Sequence, residues 1–280
     1  MKTTFLLSMD CEEWYHLAYV RPFVTDRHRT VSIMDNVYLF MDLLDERDIK
    51  ATFFVVGTVA KERPGLIREI YERGHEIACH SLDHELLYDE DLHSLREKLK
   101  AAKAMVEDAA GCQVYGFRAP CFSITEAIVP LIRDCGFLYD SSYVRTAHHD
   151  FYGQVDFSGW NQVSDYVLEK DGFYEFEAPS LGIGHVRIPW SGGGYFRVIP
   201  YLLFRLGLGR IMTGRQEFLF YVHPFEMRSS SELPDTLPLK YRFRYETGRG
   251  KTIPRLRRLL SEPDLIFKTH TEYIKTLSRL

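Results

Sequence analysis

Two histidines four positions apart, His80 and His84, are the residues whose types and spacing indicate chemistry most directly. They follow a short apolar run that ends at Cys79, and their spacing places both imidazoles on one side of a helical turn or tight loop. A divalent metal takes one nitrogen from each of two imidazoles arranged in this way. The pair therefore predicts a metal site, whereas either histidine alone would equally fit a surface or capping role.

Other ionisable residues also follow apolar runs. Asp10 and Glu12 come directly after the run 5–9, and carboxylates this close repel one another unless a cation compensates them. The alternative for them is a helix N-terminus with acidic residues in its first turn. His223 ends the run 218–222, either as a satisfied core histidine or as a general acid. Together these residues offer two or three metal ligands, a base and an acid.

Two predicted turns carry further polar residues. Arg118 precedes Pro120, which fixes the turn, and its guanidinium offers a bidentate fork to a carboxylate. The alternative is a surface arginine beside a turn. Asp140 follows the strand-like run 137–139, where it either belongs to the site or caps a turn.

The elements that must position these residues alternate between strand and helix through the first half of the chain. Continuous apolar runs at 5–9, 51–56 and 77–79 predict buried parallel strands. Periodic apolar residues over 92–109 predict an amphipathic helix that ends at Gly111. This alternation predicts a parallel sheet with covering helices. In a parallel barrel the active face lies at the C-terminal ends of the strands, where these polar residues fall.

The pattern changes between about 145 and 195, where aromatic residues and glycines increase and the alternation is lost. We predict an insertion here, or a β-rich excursion, over the active face. Later runs predict a core strand over 218–222 and a terminal helix over 273–280. We expect a single domain over 1–280 with a C-terminal extension over about 227–280.

Composition excludes several classes of protein. The chain has 280 residues, of which 45% are hydrophobic and 26% charged, as is typical of a globular enzyme. A formal net charge of −4 argues against a dedicated nucleic-acid binder. Five cysteines without a CxxC pair indicate a reducing compartment rather than a disulfide framework. Because we find neither a signal-peptide pattern nor a transmembrane run, we expect a cytoplasmic protein, with peripheral membrane contact left open.

Taken in chain order, five segments resemble the polysaccharide deacetylases of the NodB-homology type, carbohydrate esterase family 4. The resemblance spans residues 5 to about 226 and rests on Asp10-Cys11-Glu12, His80-Ser81-Leu82-Asp83-His84, Arg118-Ala119-Pro120, Tyr139-Asp140-Ser141-Ser142 and Val222-His223-Pro224. The family typically opens with two adjacent aspartates, whereas Cys11 stands here in the second position. The Asp-x-Glu opening and the Gly-Gly-Gly-Tyr-Phe-Arg segment at 192–197 resemble a branch associated with exopolysaccharide or O-antigen biosynthesis.

The resemblance implies a distorted (β/α)7 barrel, a Zn²⁺-type metal and hydrolysis of an N-acetyl group on an amino sugar. It implies metal ligation by His80, His84 and Glu12, with Asp10 as an alternative third ligand. Two histidines and one carboxylate leave an open coordination position, as a catalytic zinc site needs. Co²⁺, Ni²⁺ and Mn²⁺ accept the same ligands.

The resemblance also implies the remaining roles in catalysis. Asp10 is the expected base, Arg118 orients it, and His223 protonates the leaving amine. A backbone N–H near Cys121 is expected to help stabilise the oxyanion. The predicted substrate contacts are Trp14, Pro120, Cys121, Phe122, Asp140 and Tyr195. The expected partner is a carbohydrate that carries an N-acetylated amino sugar.

A basic stretch lies outside these motifs. Its cationic residues are Lys240, Arg242, Arg244, Arg249, Lys251, Arg255, Arg257 and Arg258, and Glu246 is the one acid among them. The stretch predicts contact with a phosphate-bearing substrate, such as a lipid-linked or nucleotide-linked sugar, or with an anionic membrane. The alternative is a solvated face.

Two other functions stay open at this point. One is different chemistry on the same fold, either deformylation of a lipid-linked amino sugar or allantoinase-like opening of a cyclic amide. The other is a catalytically inactive carbohydrate-binding module.

Overall fold

Short strands with both faces buried form the centre of the molecule, as expected of a parallel sheet that is covered by helices. The first strand, β1 (Thr3–Cys11), has eight of its nine residues buried, and all four residues of β2 (Thr52–Val55) are buried. The chain is described by a computed structural model over residues 2–145, 151–184, 186–228 and 233–277.

Strands and helices alternate as predicted through the first half of the described chain. The other strands are β3 Glu76–Cys79, β4 Gly116–Phe117, β5 Tyr139–Tyr143, β6 Asn161–Ser164, β7 Val167–Lys170, β8 Phe173–Glu177, β9 Ser180–Ile183, β10 Val186–Pro189, β11 Glu217–Val222 and β12 Leu265–Lys268. The α-helices are α1 Asn36–Asp45, α2 Gly57–Glu62, α3 Pro64–Glu72, α4 Leu92–Ala110, α5 Ile128–Asp134, α6 Gly193–Val198, α7 Tyr201–Met212, α8 Leu239–Glu246, α9 Thr252–Leu259 and α10 His270–Leu277.

The main sheet has the strand order β11-β1-β2-β3-β4-β5-β8-β7-β6, and β12 pairs with the start of β1. The first seven strands in this order run parallel, and β7 and β6 are antiparallel. The sheet curls into a half-barrel, which confirms the predicted α/β, barrel-like fold class. Within the described residues, no helix is long and apolar enough to cross a membrane.

The region after β5 is rich in strands, and it contributes to the main sheet itself. β8 lies parallel to β5 and is the seventh strand in the order that starts at β11, while β9 and β10 form a separate antiparallel pair. Strand-helix alternation could not locate β8 because an antiparallel hairpin, rather than a helix, precedes it in the chain. The predicted boundaries of an insertion at about 145–195 and of an extension at about 227–280 stay predictions.

The fifth strand lies further along the chain than the sequence pattern predicts. The run 137–139 predicted a strand that ends before Asp140, with a turn cap as one of two open roles for Asp140, but β5 includes Asp140, Ser141 and Ser142 as buried residues. These polar side chains lie inside because they hydrogen-bond to Arg118 and to neighbouring backbone groups. The alternative in which Asp140 caps a turn therefore does not hold.

Candidate active site

Polar side chains from four strand ends of the sheet meet around one cleft of about 480 Å³. The cleft is lined by residues at the ends of β1, β3 and β11 and in the loop after β3, namely Asp10, Glu12, His80, His84 and His223. Arg118, which follows β4, contacts Asp10. The structure therefore brings together six ionisable residues that the sequence motifs predicted for one site.

Glu12, His80 and His84 form a compact cluster of metal-ligating groups. One ligand atom from each lies within 4.8 Å of the others, and all three residues are buried. The Nε2 atom of His84 contacts the Oε2 atom of Glu12. Among the described residues, Glu12 Oε2 and His84 Nδ1 have no partner with hydrogen-bond geometry. One buried carboxylate and two buried imidazoles this close together are a donor set that fits a divalent metal.

The protonation states of these residues also suit a metal. The Nδ1–H of His80 donates to the Arg118 carbonyl at 2.7 Å, which leaves the Nε2 lone pair of His80 available for a ligand. Burial lowers the pKa of His80 to about 4. Burial alone would raise the pKa of Glu12, but the neighbouring imidazoles of His84, His223 and His80 lower it to about 2. At neutral pH both residues therefore have the form that binds metals.

Asp10 lies beside this cluster as the partner of a buried arginine. Arg118 Nη1 donates to Asp10 Oδ1 at 2.6 Å and to Ser8 Oγ at 2.9 Å. The other guanidinium nitrogens donate to the carbonyl and hydroxyl oxygens of Ser141, and the group stacks on Phe54 with 3.9 Å to the ring centroid. Such a multiply bonded guanidinium holds Asp10 in one orientation. Among the described residues, the carboxylate grouped with both imidazoles is Glu12 rather than Asp10.

His223 faces both carboxylates and has a carboxylate partner of its own. Its Nε2 lies 3.8 Å from Asp10 Oδ2 and 3.7 Å from Glu12 Oε1, while its Nδ1 lies 3.3 Å from Glu226 Oε2. Burial opposes protonation of His223, but Glu226, Glu12 and Asp10 together raise its pKa to about 9. The imidazole is therefore mainly protonated at neutral pH, with Nε2 directed at the cleft.

Glu226 and Arg197 are functional candidates that the sequence analysis missed. Arg197 Nε donates to Glu226 Oε1 at 3.0 Å, and its other nitrogens donate to carbonyls of α8 and the residue after it. Glu226 also accepts from the backbone N–H of His223 at 2.9 Å. The available signal was an acid three residues after His223, within a turn that begins with Pro224.

Close packing explains two glycines of the Gly-Gly-Gly-Tyr-Phe-Arg segment. A Cβ on Gly193 would collide with the Glu226 carboxylate, and one on Gly192 would lie 2.6 Å from the Tyr221 hydroxyl. A Cβ on Gly194 would meet no atom within 4 Å. Gly192 and Gly193 therefore permit the backbone to approach Tyr221 and Glu226 closely.

Unusual backbone conformations concentrate at this site. Four of the six non-glycine residues with positive φ in the described chain are Ser81 (64°), His84 (61°), Cys121 (50°) and Phe122 (55°). A non-glycine residue in this region costs about 1–3 kcal/mol, which persists where surrounding contacts hold it. The two turns that carry these residues are therefore held in place by the fold.

The predicted substrate contacts separate into two groups. Cys121, Phe122 and Tyr195 line the cleft, and Pro120 lies between lining residues without lining it itself. Trp14 is fully buried and its indole N–H donates to the Val31 carbonyl at 2.9 Å. This large aromatic side chain packs in the core, where it removes more apolar area from water than it would at a cleft wall.

Asp140 is also fully buried and does not line the cleft. One of its oxygens accepts from the Ser141 N–H at 2.8 Å and from the Ser142 hydroxyl at 2.5 Å. The predictions that Trp14 and Asp140 contact substrate are therefore corrected, since neither side chain reaches the cleft in this structure.

Two family profiles match adjacent parts of the chain. Residues 33–139 match the polysaccharide deacetylase family, and residues 141–275 match a domain of unknown function, DUF3473. The second match is consistent with the exopolysaccharide-associated branch that the sequence motifs resemble.

Similar proteins of described activity are deacetylases. Chitooligosaccharide deacetylase of Sinorhizobium fredii is 38% identical over 81 residues, which are 29% of this chain and 38% of that protein. Chitin deacetylase 1 of Cryptococcus neoformans is 25% identical over 158 residues, 54% of this chain and 33% of that protein. Peptidoglycan-N-acetylglucosamine deacetylase PgdA of Listeria monocytogenes is 28% identical over 88 residues, 31% and 19% of the two chains. The chain thus matches less than two-fifths of the length of each relative.

Solved structures support the fold. A Mycobacterium smegmatis protein described as a candidate polysaccharide deacetylase aligns with a TM-score of 0.68 at 20% identity, covering 99% of this chain and 91% of that one. An allantoinase aligns with a TM-score of 0.64 at 14% identity, covering 99% and 89%. These alignments show a shared barrel-like fold. The likeness to a family rests on residues 33–139, which match the polysaccharide deacetylase family as the motifs predict, and on the deacetylase relatives.

Proposed function

We propose that this protein is a metal-dependent hydrolase that removes N-acetyl groups from the amino sugars of a glycan or glycan precursor. One observation carries the proposal, namely that the Glu12–His80–His84 cluster shares a cleft with Asp10 and His223. The match of residues 33–139 to the polysaccharide deacetylase family supports hydrolysis of a carbohydrate amide. The match to DUF3473 supports an exopolysaccharide-type substrate.

We assign Glu12, His80 and His84 as the residues that would hold the divalent metal. Zn²⁺ is the first choice, and Co²⁺, Ni²⁺ and Mn²⁺ accept the same donors. When bound, such a metal supplies a Lewis acid that polarises the amide carbonyl and lowers the pKa of water.

Asp10 is assigned as the base that accepts a proton from the attacking water. Arg118 binds its Oδ1, which leaves Oδ2 on the side of His223, 3.8 Å from His223 Nε2. This fixed orientation reduces the entropy that must be lost when water and amide come together. We assign the backbone N–H of Cys121, on the cleft wall, to the developing oxyanion.

His223 is assigned as the acid that protonates the leaving amine. Its Nδ1 faces Glu226, so its Nε2 proton is the one available to the cleft. The raised pKa of about 9 supplies the protonated form at neutral pH, before the amine leaves.

The experiment that tests this proposal measures metal content and acetate release together. Wild type, His80→Ala and the exposed-residue control His93→Ala would be assayed on N-acetylated chitooligosaccharides and on lipid-linked and nucleotide-linked N-acetyl sugars. We expect stoichiometric metal and acetate release in wild type and the control, with both lost in His80→Ala. Bound metal without acetate release would indicate a formyl or cyclic-amide substrate instead. Absence of metal from wild type, even after reconstitution, would refute the proposal.

The predicted compartment stays a prediction. All five cysteines are free thiols in the structure, as a reducing environment requires, and three of them are buried.

A further inference from the structure

The most exposed apolar side chains of the described chain belong to two helices beside the cleft. Leu239 (82% exposed), Phe243 (70%), Leu202 (67%) and Leu206 (63%) exceed every other large apolar residue in exposure, and Leu203 follows at 56%. They lie on α7 and α8. Single exposed leucines are ordinary, whereas a group of them marks an interaction surface.

The α8 part of this surface reaches the wall of the cleft, and α7 follows closely in the chain after a cleft-lining residue. Phe243 lines the cleft together with Tyr195 and Val198, and Val198 is itself 52% exposed. Val198 ends α6, and α7 begins three residues later. Arg197 ties α6 to α8 by donating to the carbonyls of Arg244 and Tyr245. We call Val198, Leu202, Leu203, Leu206, Leu239 and Phe243 the apolar face.

Positive charge accompanies the apolar face. Residues 238–258 contain eight Lys and Arg residues and one Glu in a chain whose net charge is −4. Of these eight, Arg249 is buried and Arg255 donates to the carbonyls of Phe196 and Ile199. Lys240 and Arg244 are exposed on α8 beside Phe243, and Lys251 and Arg258 are exposed further along. Two copies of so cationic a surface would repel one another, whereas an anionic lipid surface complements it.

We propose that the apolar face is a docking surface for an anionic phospholipid membrane. The leucines and Phe243 enter the boundary between headgroups and acyl chains, and the surrounding Lys and Arg side chains bind lipid phosphates. Docking in this way brings the cleft mouth to the membrane, where a sugar anchored to a lipid presents its amide. Leu202 and Leu206 do not line the cleft, so a binding test on them does not depend on catalysis.

Vesicle flotation of the full chain tests this inference. Phosphatidylcholine vesicles are compared with vesicles that also contain phosphatidylglycerol, for wild type and for Leu202→Gln/Leu206→Gln. The matched control is Leu92→Gln, a leucine of α4 that is 46% exposed. We expect wild type and the control to bind anionic vesicles at least about tenfold more tightly than neutral ones, with binding weakened by salt. The double variant should lose at least about tenfold in affinity.

A second variant guards against misfolding of the first. Lys240→Glu/Lys251→Glu changes exposed cationic residues only and should also lose binding to anionic vesicles. The inference is overturned if wild type does not bind anionic vesicles more tightly than neutral ones, or if both variants bind anionic vesicles as tightly as wild type. It is equally overturned if sedimentation reveals a dimer that Leu202→Gln/Leu206→Gln dissociates, because the face would then serve self-association.

Discussion

Two pairs of buried carboxylates lie on either side of Arg118 in the sequence, and they have different surroundings. Asp10 and Glu12 are 3% and 2% exposed, and Asp140 and Glu175 are fully buried. The first pair contacts nitrogen groups of side chains, namely the Arg118 guanidinium on Asp10 and the His84 imidazole on Glu12. The second pair accepts hydrogen bonds from neutral backbone N–H and hydroxyl groups. The two pairs are therefore similarly buried but have different hydrogen-bond partners.

The pKa values follow these partners. Burial raises the pKa of Asp140, and burial together with the charge of Asp140 raises that of Glu175. Asp140 Oδ2 and Glu175 Oε2 have no other partner among the described residues, so one shared proton satisfies both. The pair accepts hydrogen bonds from Ser141 and Ser142, whose hydroxyl oxygens accept from Arg118 and from the Ala119 N–H. The Asp10–Glu12 pair therefore faces the cleft, whereas the Asp140–Glu175 pair positions the serines that contact Arg118 and Ala119.

Removing a carboxylate from each pair should give the largest contrast. We expect Glu12→Gln to abolish metal binding and acetate release, because an amide is a poor replacement for a buried anionic ligand. Glu175→Gln should retain both. The measurements are metal content per chain and the rate of acetate release. Full metal content in Glu12→Gln would show that Glu12 is not a metal ligand.

A second contrast uses the two aspartates. Asp10→Asn should retain metal yet lower kcat by about 10²–10⁴-fold, the usual contribution of a general base. Asp140→Asn, which does not face the cleft, should lower kcat less than Asp10→Asn does. Loss of metal from Asp10→Asn would instead indicate that Asp10 is a ligand.

Replacing Glu226, the carboxylate partner of His223, should have an intermediate effect on activity. We expect Glu226→Gln to lower kcat/KM by about 10–100-fold, as is usual for groups that orient a catalytic residue. Burial lowers the pKa of His223 and Glu226 raises it, so removing this charge lowers that pKa. Because His223 acts in its protonated form, the alkaline limb of the kcat/KM profile should move to lower pH.

A thermal melt should accompany the pH profile of this variant, since Arg197 loses its anionic partner in Glu226→Gln. An alkaline limb that stays in place in a folded variant would show that Glu226 does not act through His223.

The smallest expected effect concerns stability. Carboxyls whose pKa is raised in the folded state hold a proton that the unfolded chain loses above about pH 4. Stability from the Asp140–Glu175 pair is therefore fully present below that pH and is lost at about 1.4 kcal/mol per pH unit as the pH rises toward the folded pKa. In Glu175→Gln an amide N–H replaces the shared proton, so stability should fall less between pH 5 and pH 8.

Urea unfolding at the two pH values measures this difference. Glu97→Gln, whose side chain is 61% exposed, is the matched control and should behave as wild type. An identical pH dependence in Glu175→Gln and the control would contradict a shared proton.

The sequence by itself determined the barrel-like fold and the residues that meet in the cleft. Apolar runs identified the strands, and the C-terminal ends of parallel strands share one face. Asp10, Glu12, His80 and His223 could therefore be grouped although up to 213 positions separate them in the chain. Their catalytic and ligand roles stay predictions.

The tertiary structure decided what lies behind and beside these residues. Arg197 reaches Glu226 across 29 positions, and Ser142 reaches Glu175 across 33. Trp14 lies in the core although it follows the acidic motif directly. Local sequence patterns record which way a strand or helix faces, whereas such pairings depend on how distant segments pack. The surroundings of a charge, and with them its pKa, are set only when that packing is complete.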